Sequence, residues 1–101
     1  MKRIVFALAA TFSVAAPVFA DQALATSKNC MACHAIDKKL VGPAFKDIAT
    51  KYASDKTATD KLATKIIKGG SGVWGPIPMP ANTQVNEAES KKLAAWVLTA
   101  K

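Results

Sequence analysis

Apolar residues recur at helical spacing in four stretches of this chain, and glycine or proline separates most of them. The first stretch opens near Asp21 or Gln22 and runs into a Cys-x-x-Cys pair, with Leu24, Lys28 and Met31 roughly on one side. After the turn signal Val41-Gly42-Pro43, residues 44–52 place Phe45, Ile48 and Tyr52 on one face, as core positions. Residues 59–68 do the same with Leu62, Ile66 and Ile67 before Gly69-Gly70 ends the helix. The last helix opens at Asn86 with Glu89 three residues on, as in a capping box, and carries Leu93, Trp96, Val97 and Ala100 as its apolar stripe. The pattern predicts an all-α fold of about four helices, with no internal repeat and no low-complexity linker. Trp96 and Met31 read as packing residues in it.

Residues 69–80 break the pattern. They hold four glycines and three prolines, with Pro78 and Pro80 on either side of Met79. Glycine lets backbone approach a flat ligand closely, and proline fixes φ. Such a stretch suits neither helix nor strand; it predicts a stiff loop that holds one side chain in place at modest entropic cost.

At the N-terminus Lys2 and Arg3 precede an apolar run from Ile4 to about Ala16, then Pro17 and Val18-Phe19-Ala20 before Asp21. This is the form of a secretory signal cut between Ala20 and Asp21, and the run is short of the roughly 20 residues that span a bilayer. The expected organisation is a cleaved signal at 1–20 and one exported domain at 21–101, without stable membrane insertion. The net charge is +7, and loss of Lys2 and Arg3 leaves +5, all of the remaining basic residues being lysine. The lysines are spread along the chain instead of gathered in one block, which argues against nucleic acid as a partner.

Cys30-Met31-Ala32-Cys33-His34 carries the candidate chemistry. Two thiols two residues apart can add to the two vinyl groups on one edge of a porphyrin, and the adjacent imidazole then sits under the iron as an axial ligand. Competing readings fare worse. A disulfide over so short a loop closes almost no chain, and zinc wants four ligands where this chain has two cysteines and a single histidine. Thioredoxin-like chemistry needs a βαβ pattern that is missing around the motif. A domain of about eighty residues usually needs a staple beyond its apolar core, and a covalent haem is one, so the haem-free chain is expected to be largely unfolded. For the sixth iron ligand, His34 is used, Met1 leaves with the signal and Met31 lies inside the short loop between the thiols. Met79 remains, a thioether being a known partner of histidine in haem proteins. The other possibility is that Met79 only packs and water or lysine completes the iron.

The motif at 30–34, Val41-Gly42-Pro43, the run Gly72-Val73-Trp74-Gly75-Pro76-Ile77-Pro78-Met79-Pro80 and the ending Trp96-Val97-Leu98 resemble the short-chain class I cytochromes c of bacterial periplasms, over essentially the whole of 21–101. The resemblance implies one covalent haem c held by Cys30 and Cys33, with His34 and Met79 on the iron. It also implies that the Pro43 carbonyl accepts from the ligating imidazole, that Trp74 donates its indole N–H to a haem propionate, and that Asn82 hydrogen-bonds near the ligand sulfur. Relatives often carry arginine near Lys65 for a propionate; lysine keeps the charge and loses the planar fork. The implied function is single-electron transfer in the periplasm by a monomer, from a respiratory complex to a nitrite reductase or terminal oxidase. With both axial positions filled, no enzyme chemistry is expected at the iron. The competing reading is a haem enzyme or gas-sensing domain with a labile sixth ligand. Partner docking is expected on an apolar centre of Met31, Pro76 and Ile77 ringed by Lys28, Lys38 and Lys39.

Overall fold

The computed structural model describes residues 17–101, with side-chain surroundings from Asp21 onward, so most of the expected signal segment lies outside the described residues. The order of elements is α1 (Pro17–Ser27), a 3₁₀ turn (Cys30–Ala32), α2 (Phe45–Lys51), α3 (Ala58–Lys68), β1 (Gly70–Gly72), β2 (Gly75–Met79) and α4 (Glu87–Val97). Among the described residues no helix is long and apolar enough to cross a membrane.

The expectation for the first helix is corrected at both ends. It is already helical at Pro17, where the described residues begin, and it stops at Ser27 instead of running into the cysteines. The Ser27 hydroxyl donates to the Leu24 carbonyl at 2.8 Å, and Asn29 adopts φ 66°, the left-handed conformation that asparagine tolerates and that ends helices. Cys30–Ala32 then forms its own tight turn, closed by the His34 N–H donating to the Cys30 carbonyl at 3.0 Å.

Helix α2 is short and buries Phe45, Ile48 and Ala49. Its first N–H groups, which a helix leaves without internal partners, donate to the carbonyls of Ala35 and Ile36 at 2.9 and 3.0 Å. The helix is thereby hung from the residues that follow His34.

Helix α3 departs from its expected burial. Ala58 and Ala63 are its buried residues, Leu62, Ile66 and Ile67 being only half-buried. Small residues let α3 come close to α4, and these two make the most extensive helix pair. Leu62 and Ile66 turn instead to the cleft described below, while Ile67 faces the groove shared with Glu87 and Ser90. Ahead of α3, Asp55 accepts from the Thr57 N–H at 2.8 Å, the Thr57 hydroxyl at 2.6 Å and Lys61 Nζ at 2.8 Å. Lys61 first, then Thr57, holds the Asp55 carboxyl down at about 2. A depressed carboxylate contributes stability that is complete above its unfolded value near 3.9 and is lost as the pH falls towards about 2. An NMR titration of the Asp55 carboxyl should give a midpoint near that value, and Lys61→Met should raise it.

Helix α4 opens with a complete capping box. Asn86 Oδ1 accepts from the Glu89 N–H at 2.8 Å, and Glu89 Oε1 accepts from the Asn86 N–H at 3.1 Å. Asn86→Ala should cost about 1 kcal/mol, read as a lower urea midpoint with unchanged slope. The core joins Ala25 of α1, Phe45 and Ile48 of α2, Val85, and Leu93, Trp96 and Val97 of α4, with Met31 packed against it from the turn. Phe45 meets Trp96 edge-on at 5.2 Å, and packing is the role of Trp96.

The glycine- and proline-rich stretch contains strand, contrary to expectation. Gly70 pairs with Met79 and Gly72 with Gly75 in an antiparallel ribbon whose second strand has two extra residues between the pairs. Since alternate residues of a strand face opposite sides, Pro76 and Pro78 point away from β1, where their missing N–H groups cost no ladder bond. The positive φ angles of Gly72 and Gly75, 104° and 107°, close the turn between the strands.

Candidate haem site

The elements surround a cleft of about 630 Å³, counting its open mouth, with an almost wholly apolar lining. Cys30 and His34 enter it from the turn, Pro43 and Ile48 from one side, Leu62 and Ile66 from α3, Trp74 and Met79 from the ribbon and Leu93 from α4. Cys33 and Asn82 are not part of the lining.

His34 is buried and held on three sides. Its Nδ1–H donates to the Pro43 carbonyl at 2.8 Å, which leaves Nε2 with a free lone pair. Phe45 stacks on one face of the ring, centroids 5.0 Å apart and planes 20° apart. Gly42 backs the ring so closely that a Cβ there would stand 2.5 Å from Cε1 and 2.9 Å from Nδ1. Reading the sequence takes Gly42 only as a turn residue; its contact with the imidazole is a tertiary fact. Its loop is fixed by the Gly42 N–H donating to the Cys33 carbonyl at 2.8 Å.

Cys30 and Cys33 are both half-buried and are not joined in a disulfide. Burial pushes the Cys30 thiol up, the direction opposite to that of a thiol-redox centre. Among the described residues no three His, Cys, Asp or Glu side chains gather as a zinc site requires. An apolar cleft with one free imidazole nitrogen, one thioether and an adjacent thiol fits a macrocycle that brings its own iron.

Met79 is half-buried, at the last position of β2. Gly69, with φ 69°, lies directly against the Met79 carbonyl and the following backbone, where no Cβ would fit. Asn82 Nδ2 donates to the Ile66 carbonyl at 2.8 Å and weakly to the Pro80 carbonyl at 3.5 Å, so its side-chain donors serve the end of α3 and the loop backbone. Trp74 is 44% exposed at the mouth, with Lys51 Nζ 5.7 Å from its ring centroid. Lys65 folds its ammonium over Gly70.

Outside the mouth, Leu40, Val41, Trp74 and Ile77 are exposed, and Val41, Trp74, Pro76 and Ile77 share a surface pocket with Lys39. The expected docking face is changed by this. Met31 packs inward, while Lys28 is held by the Gln84 carbonyl at 3.0 Å and Glu89 at 3.4 Å, so it is a tie between α1 and α4 and no longer a free rim charge. Lys38 and Lys39 remain exposed.

Four helices around an apolar cleft, entered by a Cys-x-x-Cys-His turn, define the class of small single-haem carriers. The family model for cytochrome c matches residues 21–101. Cytochrome c-552 of Hydrogenobacter thermophilus is 53% identical over 96 residues, covering 95% of this chain and 97% of that relative. Cytochrome c-551 of Pseudomonas aeruginosa is 52% identical over 80 residues, covering 79% of this chain and 76% of the relative. The crystal structure of wild-type Nitrosomonas europaea cytochrome c552 superposes with a TM-score of 0.77 at 55% identity, over 79% of this chain and 99% of that one. The chain belongs to the cytochrome c family. It carries one covalently attached haem c and is an electron-transfer protein, not an enzyme.

Proposed function

We propose that the chain is exported by a signal at 1–20 and that residues 21–101 work in the periplasm as a monomeric single-electron shuttle. In this reading Cys30 and Cys33 hold the haem by thioether bonds, and His34 Nε2 and Met79 Sδ fill the two axial positions. The observation that carries it is the convergence of Cys30 and His34, from the turn, and Met79, from the ribbon, on one apolar cleft. When bound, the haem supplies an iron that cycles between ferrous and ferric. The chain does the rest. Pro43 fixes the imidazole tautomer, Gly42 and Phe45 fix its plane, and the apolar walls keep water from the iron and favour the less charged ferrous state.

The donor in this reading is a respiratory complex and the acceptor a nitrite reductase or terminal oxidase. Contact is made through the patch of Val41, Trp74 and Ile77, with Lys38 and Lys39 steering an acidic partner. Encounters of this kind are small and salt-sensitive, the Debye length being about 8 Å near physiological ionic strength. Lys38→Glu should slow electron transfer to an acidic redox protein more than Lys101→Glu does, and the difference should vanish at high salt; equal slowing would leave only net charge.

Two measurements test the reading as a whole. Haem should stay with the polypeptide when the protein is denatured in acid and extracted with organic solvent. The ferrous protein should bind carbon monoxide poorly. Release of the haem would remove Cys30 and Cys33 from their role, and strong carbon monoxide binding would favour a haem enzyme or gas-sensing domain.

A further inference from the structure

Between the Met79 loop and the cysteine turn lies a set of hydrogen bonds for which the haem reading has no use. Gln84, exposed in the connection from the ribbon to α4, sends its Nε2 to two acceptors, the Lys28 carbonyl at 3.0 Å and Asn82 Oδ1 at 3.0 Å. Its own carbonyl accepts from Lys28 Nζ at 3.0 Å, an ammonium also paired with Glu89 at 3.4 Å. Asn82 in turn directs Nδ2 at the carbonyls of Ile66 and Pro80, and its backbone N–H at those of Ile66 and Ile67, 3.3 and 3.2 Å away.

This set has a sense. A primary amide accepts at one end and donates at the other. With Gln84 donating to Oδ1, the end left for the Ile66 and Pro80 carbonyls is the donating one. Turning the Asn82 amide over would set its NH₂ against the Gln84 NH₂, and its oxygen against two carbonyls. The Ile66 and Pro80 carbonyls already select this orientation, and Gln84 reinforces it by occupying the oxygen that it leaves free.

We propose that Gln84 is a positioning residue for the Met79 ligand. By bonding both the Asn82 amide oxygen and the Lys28 carbonyl, it ties the loop after Pro80, which Asn82 holds to the end of α3, to the backbone two residues ahead of Cys30. One side chain then links the segment that presents Met79 to the segment that presents Cys30 and His34. The proposal rests on the reading of Met79 as an iron ligand.

The test is displacement of the methionine from ferric protein by added imidazole, followed through the sulfur-to-iron absorption band in the near infrared. Gln84→Leu removes the donor. Gln84→Glu keeps the shape and turns a carboxylate towards Asn82 Oδ1. Both should raise the apparent affinity for imidazole about fivefold, the equivalent of one hydrogen bond, with the glutamate variant at least as strongly affected. Asn86→Ala, which weakens the fold through the cap without touching Asn82, should leave that affinity unchanged. Unchanged affinity in the Gln84 variants, or an equal rise in Asn86→Ala, would overturn the proposal. Failure of the ligation reading is recognisable separately: the band would be absent from the parent protein or would survive Met79→Ala, and the proposal would fall with it.

Discussion

Met79→Ala should abolish the near-infrared sulfur-to-iron band of the ferric protein and lower its reduction potential by about a few tenths of a volt, within the roughly 0.8 V over which axial ligands set haem potentials. The direction follows from the ligand. A thioether is a soft, neutral donor that favours ferrous iron, and what replaces it, water or a lysine amine, favours ferric. Met79 ends β2, its carbonyl rests on Gly69, and it reaches the cleft that Cys30 and His34 also line. On the proposed ligation the variant should also bind carbon monoxide readily in the ferrous state, because Met79 would no longer hold a ligand position. A potential and band unchanged from the parent would remove Met79 from the iron.

Gly42→Ala is expected to have the second large effect. The added carbon would sit 2.5 Å from His34 Cε1, well inside van der Waals contact, on a ring that also stacks against Phe45 at 5.0 Å. Swinging sideways would break the bond from Nδ1 to the Pro43 carbonyl at 2.8 Å. Overpacking of this kind costs about 1–3 kcal/mol. Here it should appear both as a lower denaturant midpoint and, on the proposed ligation, as a changed haem spectrum, since the group displaced would be the ligating imidazole. A loss of stability with an unaltered spectrum would mean that the loop gives way and the imidazole does not depend on Gly42.

The residues show which parts of this were legible beforehand. Helices α2 and α4 were readable because Phe45 and Ile48, and Leu93, Trp96 and Val97, repeat with the helical period and are buried as that period demands. The end of α1 was not. Leu24, Lys28 and Met31 keep the spacing across the break, and the stop is written in the side-chain hydrogen bond of Ser27 and the left-handed Asn29. The ribbon was hidden by its composition: glycine and proline argue against strand on average, and only the register shows that Pro76 and Pro78 face outward. For the site, Cys30, His34 and Met79 announce themselves by chemistry. Gly42 and Gln84 do not, because a glycine against a ring and an amide across a chain crossing are matters of tertiary contact, with no periodicity to mark them.

The same outward prolines bear on how an apolar mouth is exposed without a strand edge beside it. A strand edge with free N–H groups beside Val41, Trp74 and Ile77 would be a template on which another chain could add a strand and begin to aggregate. On β2 the positions facing away from β1 include Pro76 and Pro78, which have no N–H to offer. Apolar surface can therefore be displayed there for brief encounters while backbone addition is refused, which separates recognition by side chains from self-association by main chain.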